Sequence, residues 1–435
     1  MRGAREARGD ATAPVRAAPD TIMPTRETAT CATEGDPVLP LNPTLRHYPW
    51  GSPTAIPDVL GTAPDGVAVA EAWFGAHPSA PARLEDPAGA VCLDAAIAVD
   101  PVERLGEDVV ARFGPALPYL LKIIAAERPL SLQVHPNLDG AREGFRVETA
   151  AGVPVDGPTR NFRDANHKPE LVYALTTFEA LCGFRAPRRA AELLAGLDAP
   201  LARDLAAMLR AQPTVDGMRT AFRRLLEPGL RPGADEVAAV VAACDARRSE
   251  GSPSPRADRI VERLAQEYPG DPGVVTSLLL NPVTLQPGEA MFVPAGAVHA
   301  YLSGTAVELM ANSDNVLRAG LTAKHVDVAA VLAHVDYVAA PPIRIAPEIF
   351  HGATRVFYAP VDDFELSVTT PTDDEEHPLP GRGPRVLLCL GGALTVGAEG
   401  GGALTLERGE SAFVPACDGH LTVRGRGTLV QADVP

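Results

Sequence analysis

The sequence has few of the features that mark secreted, membrane-bound or nucleic-acid-binding proteins. Its six cysteines form no CxxC pair, so neither a disulfide framework nor a thiolate metal site is indicated, and a reducing cytoplasm is favoured. No apolar run is long enough to cross a bilayer. The net charge of −16 argues against nucleic acid or anionic membranes as partners, since both require basic surfaces. A small anionic ligand stays compatible, because a few lysines and arginines can dominate one pocket.

The first 36 residues differ from the rest of the chain. They are rich in Ala, Arg, Thr, Pro and Asp and contain no apolar segment typical of a secretory signal. We expect residues 1–36 to be a disordered extension, with Met23 as an alternative start.

Two β-rich regions flank a helical one. Short apolar segments cut by glycine and proline are typical of strands, whereas Leu201, Leu205 and Leu209 recur at helical spacing. The 435 residues are enough for about two or three domains. We expect a first β domain formed by residues 37–185 and 274–335, a helical insertion of residues 186–273, and a second β domain of residues 336–435.

An internal repeat links the two β-rich regions. "LQPGEAMFVPAGAVH" ends at His299 and "LERGESAFVPACDGH" ends at His420, with Leu, Gly, Glu, Phe, Val, Pro, Ala and His at matching offsets. The repeated unit resembles the second motif of the cupin jelly roll, a double-sheet β fold. This implies a mainly β protein with two cupin jelly-roll domains and an inserted helical domain.

The stretch "SLQVHPN" places polar and apolar residues in alternation. Side chains of a strand point alternately to opposite faces, so Ser131, Gln133 and His135 share one face. Leu132 and Val134 would then face a core. Alternation of this kind often means only that one face meets water, so other ligands are needed to argue for a metal site.

Further metal donors stand at cupin motif positions. Pro169 disfavours helix at Lys168, so Lys168 and Glu170 of "NHKPEL" should be extended and share a face. The first copy of the repeat adds His299. Two imidazoles, a carboxylate and an amide oxygen form a set that zinc accepts, with room for water or substrate.

The chain also resembles the class I mannose-6-phosphate isomerase (phosphomannose isomerase) family. The resemblance covers about residues 40–330 in family order. It rests on "YPWGS", "EAWFGAHPSAPA", "PYLLKIIAAERPLSLQVHPN", "NHKPELVYALTTFEALCGFR", "FVPAGAVHAYLSG" and "VELMANSDNVLRAGLTAKHVD". It implies an aldose–ketose isomerase that interconverts mannose 6-phosphate and fructose 6-phosphate through an enediol.

The resemblance also implies roles for individual residues. It implies one zinc ion per chain, bound by Gln133, His135, Glu170 and His299, and a catalytic role for Arg318. The implied substrate-binding residues are Ser131, Lys168, Lys122, Glu308, His167 and Asp314. We interpret Trp50 and Trp73 as core or pocket-wall aromatics, and we expect a monomer that binds neither nucleic acid nor membrane.

Several alternatives stay open at this level. Zinc-bound water, Glu308 and His167 are all possible bases, and the cations that hold the phosphate are not identified. An iron-dependent cupin dioxygenase and a non-catalytic sugar-binding cupin are the competing functions. The second β domain offers "RVLLCLGGALTV", which contains no His, Gln, Asp or Glu. We therefore expect His420 to bind no metal, because a lone imidazole cannot hold zinc against water.

Overall fold

The computed structural model describes residues 38–86 and 89–435 of the chain. The expectations for residues 1–36, including the alternative start at Met23, lie outside these residues. None of the helices in the described ranges is long and apolar enough to span a bilayer.

Helices occur between the strands throughout the described chain, and most of them lie between residues 187 and 276 or between residues 93 and 113. The helices are α1 (Ala55–Val59), α2 (Leu93–Val99), α3 (Pro101–Leu105), α4 (Glu107–Phe113), α5 (Leu138–Ala150), α6 (Pro187–Ala195), α7 (Pro200–Ala211), α8 (Val215–Leu226), α9 (Ala234–Ser249), α10 (Pro255–Glu267), α11 (Gly273–Thr276) and α12 (Val328–His334). Helices α6–α10 lie in the stretch for which the apolar spacing predicts helices.

Strands make up the rest of the regular structure. They are β1 (Leu39–Asn42), β2 (Thr44–Arg46), β3 (Glu71–Phe74), β4 (Arg83–Asp86), β5 (Gly89–Cys92), β6 (Tyr119–Ala126), β7 (Leu132–Val134), β8 (Glu170–Ala174), β9 (Phe178–Phe184), β10 (Leu280–Leu285), β11 (Ala290–Val293), β12 (His299–Ala311), β13 (Leu317–Gly320), β14 (Ile343–Ile345), β15 (Glu348–Phe350), β16 (Thr354–Phe357), β17 (Glu365–Thr369), β18 (His377–Pro378), β19 (Arg385–Ala398), β20 (Ala403–Glu407), β21 (Ser411–Val414) and β22 (Leu421–Asp433).

The described strands form two 11-stranded sheets. One follows the order β14-β11-β8-β12-β6-β3-β2, with β7, β9, β10 and β13 attached, and the other follows β15-β16-β17-β22-β19-β21-β1-β4-β5, with β18 and β20 attached. The long strand β12 pairs antiparallel with β6 and β8 over one part and with β7 and β9 over another. It therefore connects the two layers that enclose the site described below.

The first β-strand joins the sheet built mostly from C-terminal strands. Leu39 pairs with Phe413 of β21, and Leu41 pairs with Leu84 of β4. The sequence pattern assigns residues 37–185 to the first β domain, whereas the backbone pairing puts β1, β4 and β5 in the other sheet. Such a pairing between the two ends of a chain leaves no local sequence signal.

Leu132 and Val134 are fully buried, as the alternation on β7 predicts. They pack in one apolar cluster with residues of the inserted helices, including Leu205 and Phe222. The interior enclosed by the sheet that contains β8 and β12 is a different apolar cluster, which includes Val172 and Tyr301. The apolar face of β7 thus holds the helices against the back of the sheet.

The two copies of the repeat occupy equivalent register positions. Val293 of β11 pairs with Glu170 at the start of β8, and its counterpart Val414 of β21 pairs with Arg385 at the start of β19. Arg385 is fully buried and donates hydrogen bonds to the carbonyl oxygens of Gly381 and Gly419 at 3.2 and 2.7 Å. A guanidinium therefore stands where the first copy has the Glu170 carboxylate.

The paired glycines of the repeat provide a test of this packing. Gly288 and Gly409 have φ values of +88° and +87°. A Cβ at Gly409 would lie 2.1 Å from the Leu60 carbonyl oxygen, while at Gly288 the nearest atom is the Tyr173 hydroxyl at 3.9 Å. We expect Gly288→Ala to lower the free energy of unfolding by about 1–2 kcal/mol through backbone strain alone.

Gly409→Ala should cost at least about 1–3 kcal/mol more than Gly288→Ala, because the carbonyl of Leu60 must also move. Urea denaturation of both variants measures the difference. Equal losses would mean that Leu60 does not press on the turn before β21.

Candidate metal centre and active-site cavity

Three potential metal ligands converge in the cavity enclosed by the first sheet. His135 follows β7, Glu170 opens β8 and His299 opens β12. The Nε2 atom of His135 lies 3.2 Å from Glu170 Oε1, and that of His299 lies 3.4 Å from Glu170 Oε2. One ligand atom from each residue lies within 4.8 Å of the others, and all three residues are buried.

Backbone carbonyls fix the tautomer of both imidazoles. His135 Nδ1 lies 2.7 Å from the Asn315 carbonyl oxygen, and His299 Nδ1 lies 3.0 Å from that of Ala297. A carbonyl oxygen can only accept, so each Nδ1 carries the proton. The Nε2 lone pairs of both rings are therefore left to face Glu170, which is the arrangement in which histidines bind metals.

The environment of His135 matches a metal ligand. Burial and the nearby Lys168 lower the pKa of His135 to about 4, so its ring is neutral at pH 7. Its buried Nε2 has no hydrogen-bond partner among the described residues. Two neutral nitrogen donors and a carboxylate that face one point fit a divalent cation such as zinc.

Gln133 lies beside this group of donors. It lies opposite His299 of β12 and opposite Arg318 of β13, because β7 pairs with both strands. Its Nε2 donates to Ser131 Oγ at 3.2 Å, which leaves the amide oxygen available. Ser131 and Gln133 therefore share the polar face that the alternation predicts.

Glu170 is held as a carboxylate by its neighbours. Burial alone would raise its pKa, but the adjacent Lys168 ammonium outweighs this effect and holds the pKa of Glu170 well below its usual range. Lys168 Nζ donates to Glu170 Oε1, while the Tyr301 hydroxyl donates to Oε2 at 3.0 Å. Lys168 and Glu170 thus share one face, as Pro169 led us to expect.

A cavity of about 540 Å³ is lined by Gln133, Glu170 and His299, whereas His135 is buried and does not line it. Most of the residues that the sequence suggests for substrate binding or catalysis line it. They are Ser131, Lys122, Lys168, Glu308, Asp314 and Arg318, together with the aromatic walls Trp50 and Trp73. The cavity therefore brings Glu170 and His299 together with these polar side chains.

His167 is the exception. It does not line the cavity, and its Nε2 lies 3.0 Å from Asp363 Oδ2 on the other side of the extended segment. Neighbouring residues of an extended chain point to opposite faces, so the orientation that directs Lys168 inward directs His167 outward. The expectation that His167 contacts substrate is corrected by this geometry.

Lys122 is buried within the apolar strand β6 but is paired with acids. Its Nζ lies 3.3 Å from Glu308 Oε2 and 3.8 Å from Glu71 Oε1, and 4.8 Å from the centre of the Trp73 ring. Burial lowers the pKa of Lys122, but the two carboxylates outweigh it and raise the pKa above its ordinary value. The ammonium is therefore a fixed positive charge on the cavity wall.

Sequence reasoning missed Tyr301, although the same alternation rule points to it. Tyr301 lies two residues after His299 on β12 and shares its inward face. Glu308 also faces inward although the parity of its number differs, because a register irregularity between Tyr301 and Ser303 shifts the alternation. A bulge of this kind cannot be read from residue spacing alone.

His77 of the "GAHP" segment was also missed. The backbone N–H of Ser79 donates to His77 Nδ1 at 3.2 Å, so in the neutral ring Nε2 carries the proton. That Nε2 lies 3.4 Å from Asp314 Oδ1. Burial lowers the pKa of His77 to about 4 despite Asp314, so a neutral ring orients this carboxylate at the cavity wall.

Three cations occupy another part of the cavity without acidic partners. Arg163, Arg318 and Lys324 all line it, and no ion pair involves them within residues 38–86 and 89–435. Burial and Arg163 lower the pKa of Arg318, and burial, Arg318 and Arg163 lower that of Lys324. Mutual repulsion of this kind is relieved when an anion binds.

Arg160 fixes the loop that carries Arg163. Its guanidinium lies 3.0 Å from the Glu148 carboxylate and donates to the carbonyl oxygens of Phe162 and Val153 at 2.5 and 2.7 Å. Helix α5 supplies Glu148, so the loop is fastened to that helix. The sequence gives no periodic signal for such an irregular segment.

Comparisons with known proteins identify a matching family model and several relatives. Residues 38–187 match the model of the type I phosphomannose isomerase catalytic domain. The chain is 39% identical over 393 residues to mannose-6-phosphate isomerase of Escherichia coli, covering 89% of this chain and 97% of that protein. It is 30% identical over 405 residues to the enzyme of Rattus norvegicus, covering 87% and 93%.

Solved structures give the same relationship. A zinc-bound mannose 6-phosphate isomerase aligns with a TM-score of 0.83 at 36% identity, over 92% of this chain and 99% of that one. A variant of phosphomannose isomerase from Salmonella typhimurium gives the same TM-score, identity and coverage. The matching family model, these relatives and the shared fold show that the chain belongs to the type I phosphomannose isomerase family.

Proposed function

We propose that this protein is a zinc-dependent isomerase that interconverts mannose 6-phosphate and fructose 6-phosphate through an enediol. The observation that carries the proposal is the convergence of two Nε2 lone pairs on the Glu170 carboxylate, inside a cavity that also presents Arg318 and Lys168. Membership of the family supports the substrate and the reaction.

One zinc ion would be held by His135, Glu170, His299 and the amide oxygen of Gln133. This assignment is supported by the donor chemistry and by the zinc-bound relative. When bound, zinc supplies a Lewis acid that stabilises negative charge on the substrate carbonyl oxygen.

Arg318 would act on the charge that develops during enolisation. It lies on β13 directly beside Gln133 of β7, so its strand brings a permanent cation next to the metal donors. A fixed positive charge in a half-buried site stabilises a developing oxyanion without reorganisation. Lys168, which contacts Glu170, contributes further positive charge.

Glu308 is the side chain that we favour for moving the proton between C2 and C1. It lines the cavity, is buried and lies beside Lys122 on the neighbouring strand. A carboxylate on a rigid strand can accept a proton from one carbon and return it to the next. His167, another candidate base, does not line the cavity and pairs with Asp363 instead.

The phosphate would be held by Arg163 and Lys324. Both line the cavity and have no acidic partner among the residues described. The guanidinium of Arg163 can bind phosphate oxygens in a bidentate manner, and the ammonium of Lys324 adds a point charge. Together the two cations explain how an acidic protein can bind a dianion.

We also propose that the chain contains two cupin jelly rolls, with residues 186–273 inserted in the first and a metal-free second roll formed mainly by residues 336–435, to which β1, β4 and β5 are added. The internal repeat and the shared register of its two copies support this division. A cytoplasmic location is supported by Cys92, Cys182, Cys244 and Cys389, which form no disulfide in the described part of the chain. That the enzyme is a monomer stays a prediction from the sequence.

Metal removal tests the function. We expect the purified chain to contain about one zinc per molecule and to form fructose 6-phosphate in a coupled assay, since the described residues include one converging group of His135, Glu170 and His299. Chelation should abolish the activity and zinc should restore it. Oxygen consumption by an iron-bound protein would overturn the proposal in favour of the dioxygenase.

The two repeat histidines form a matched pair of variants. His299→Ala should lose both zinc and activity, because it removes a buried donor. His420→Ala should keep both, because His420 is exposed and contacts Arg382 rather than a cluster of metal donors. Zinc per chain and isomerase rate measure the outcome; two zinc ions in the wild type, one lost with His420, would contradict the asymmetry.

Arg318→Ala should retain its zinc and its fold but lower kcat by about 10²–10³-fold, as expected for removal of one electrostatic donor. Steady-state kinetics and metal content measure this outcome. A variant with unchanged kcat and a raised KM would instead place Arg318 with Arg163 and Lys324 in phosphate binding.

A further inference from the structure

A second cavity lies outside the active site, between the end of β9 and the start of α10. It also has a volume of about 540 Å³, and none of its lining residues lines the catalytic cavity. Phe184 and Arg185 form one wall, Pro253 and Ser254 another, and the segment 339–341 a third. The reaction proposed above makes no use of it.

Asn281 holds the walls of this cavity in place. Its Nδ2 lies 2.9 Å from the Phe184 carbonyl oxygen, 3.0 Å from that of Ala340 and 3.2 Å from that of Gly183. A single amide thus ties the end of β9 to the segment after α12. The cavity is therefore formed before any ligand enters.

Arg185 contributes a positive charge that the described residues do not neutralise. Its Nε is buried without a hydrogen-bond partner, and it takes part in no ion pair within the described ranges. The charged neighbour that affects it is Arg256, whose buried Nε also has no partner among them. Burial and Arg256 both lower the pKa of Arg185.

The other charged groups of the cavity do not compensate Arg185. Glu192 lies at the rim, but its carboxylate is 3.0 Å from Arg189 Nη1, with which it pairs. Arg256 donates to the neutral hydroxyl of Thr284 at 2.6 Å. The site therefore keeps a net positive charge, although acidic residues outnumber basic ones 55 to 39 in the sequence.

A guanidinium remains protonated at any ordinary pH, so the cost of partial burial beside a like charge persists until an anion binds. The start of α10 adds to this attraction. This helix has 13 residues, and its N-cap Ser254 makes no side-chain capping bond. Pro255 at the first position has no N–H to donate, and Asp258 of the first turn is paired with Arg247, so the attraction for phosphate at this end is that of the helix dipole.

We propose that this cavity is a second anion site that binds a small phosphorylated molecule through Arg185 and the N-terminus of α10. Arginine provides bidentate contacts to phosphate oxygens, and the volume is within the roughly 300–1,000 Å³ range of small-molecule sites. Arg189 at the rim is placed to add a weaker contact.

Equilibrium dialysis with radiolabelled orthophosphate tests the proposal on the zinc-loaded full chain. We expect two phosphates per wild-type chain and one in Arg185→Met, with at least a tenfold loss of affinity at the second site. Arg188→Met removes an exposed arginine of α6 three residues away, outside the cavity, and should retain both. Lys324→Met should lose only the catalytic-cavity phosphate.

The isomerase assay separates this proposal from the proposed function. Arg185→Met should keep the wild-type kcat, KM and inhibition constant of orthophosphate, because it touches no residue of the catalytic cavity. Arg185→Lys serves if Arg185→Met fails to fold, and should bind phosphate more weakly than wild type because the bidentate fork is lost.

Two results would overturn the second site. One is a wild-type chain that binds a single phosphate, with an affinity that Arg185→Met and Arg188→Met leave unchanged. The other is displacement of the second phosphate by citrate as readily as by glycerol 3-phosphate, which would exclude a preference for phosphate. Displacement by glycerol 3-phosphate alone, abolished by Arg185→Met, would establish it.

Discussion

The buried carboxylate of Glu170 is the constraint on which the rest of the site depends. Glu170 is only 2% exposed. Removing an ionised carboxylate from water to this extent costs about several kcal/mol, which surrounding partners must offset. Its hydrogen-bond donors are Lys168 and the Tyr301 hydroxyl, while the imidazoles of His135 and His299 face it from the end of β7 and the start of β12. A slip of one residue in β7 would turn His135 away from Glu170, and a slip in β12 would turn His299 and Tyr301 away. The register of the sheet therefore determines which groups surround the buried charge.

How much of this could be predicted follows from the range of each interaction. Alternation along an extended chain predicted that Gln133 shares a face with Ser131 and Glu170 with Lys168, and the contacts within each pair agree, because alternation depends only on neighbouring residues. The same rule, applied at Lys168, would also have excluded His167. Glu308 faces inward only because of the bulge in β12, and Arg163 only because Arg160 fixes its loop, and both depend on distant contacts. Resemblance to a family supplied Arg318, whose position beside Gln133 no local pattern reveals.

The two repeat copies show how one backbone arrangement accepts opposite electrostatics. Glu170 and Arg385 hold the same register position, one facing two imidazoles and the other donating to two carbonyl oxygens. The second copy thus has a covalently attached cation at the place where the first has an anion that can bind one. Its Phe413 packs in the same apolar cluster as Leu171 and Phe292 of the first sheet, so its strands still contribute to the common core.

The pairing of β1 with β21 has a consequence for biosynthesis. Strand β1 leaves the ribosome among the first described residues, but Ser411–Val414 are translated near the end. Until then, the edge of β1 that β21 will cover exposes unpaired N–H and C=O groups, which other strands can recognise. This sheet therefore cannot be completed during translation by folding one segment after another, because its strands come from distant parts of the sequence. Its last step must wait until β21 has been translated, and a chain truncated before Ser411 would leave Leu39 at an open sheet edge.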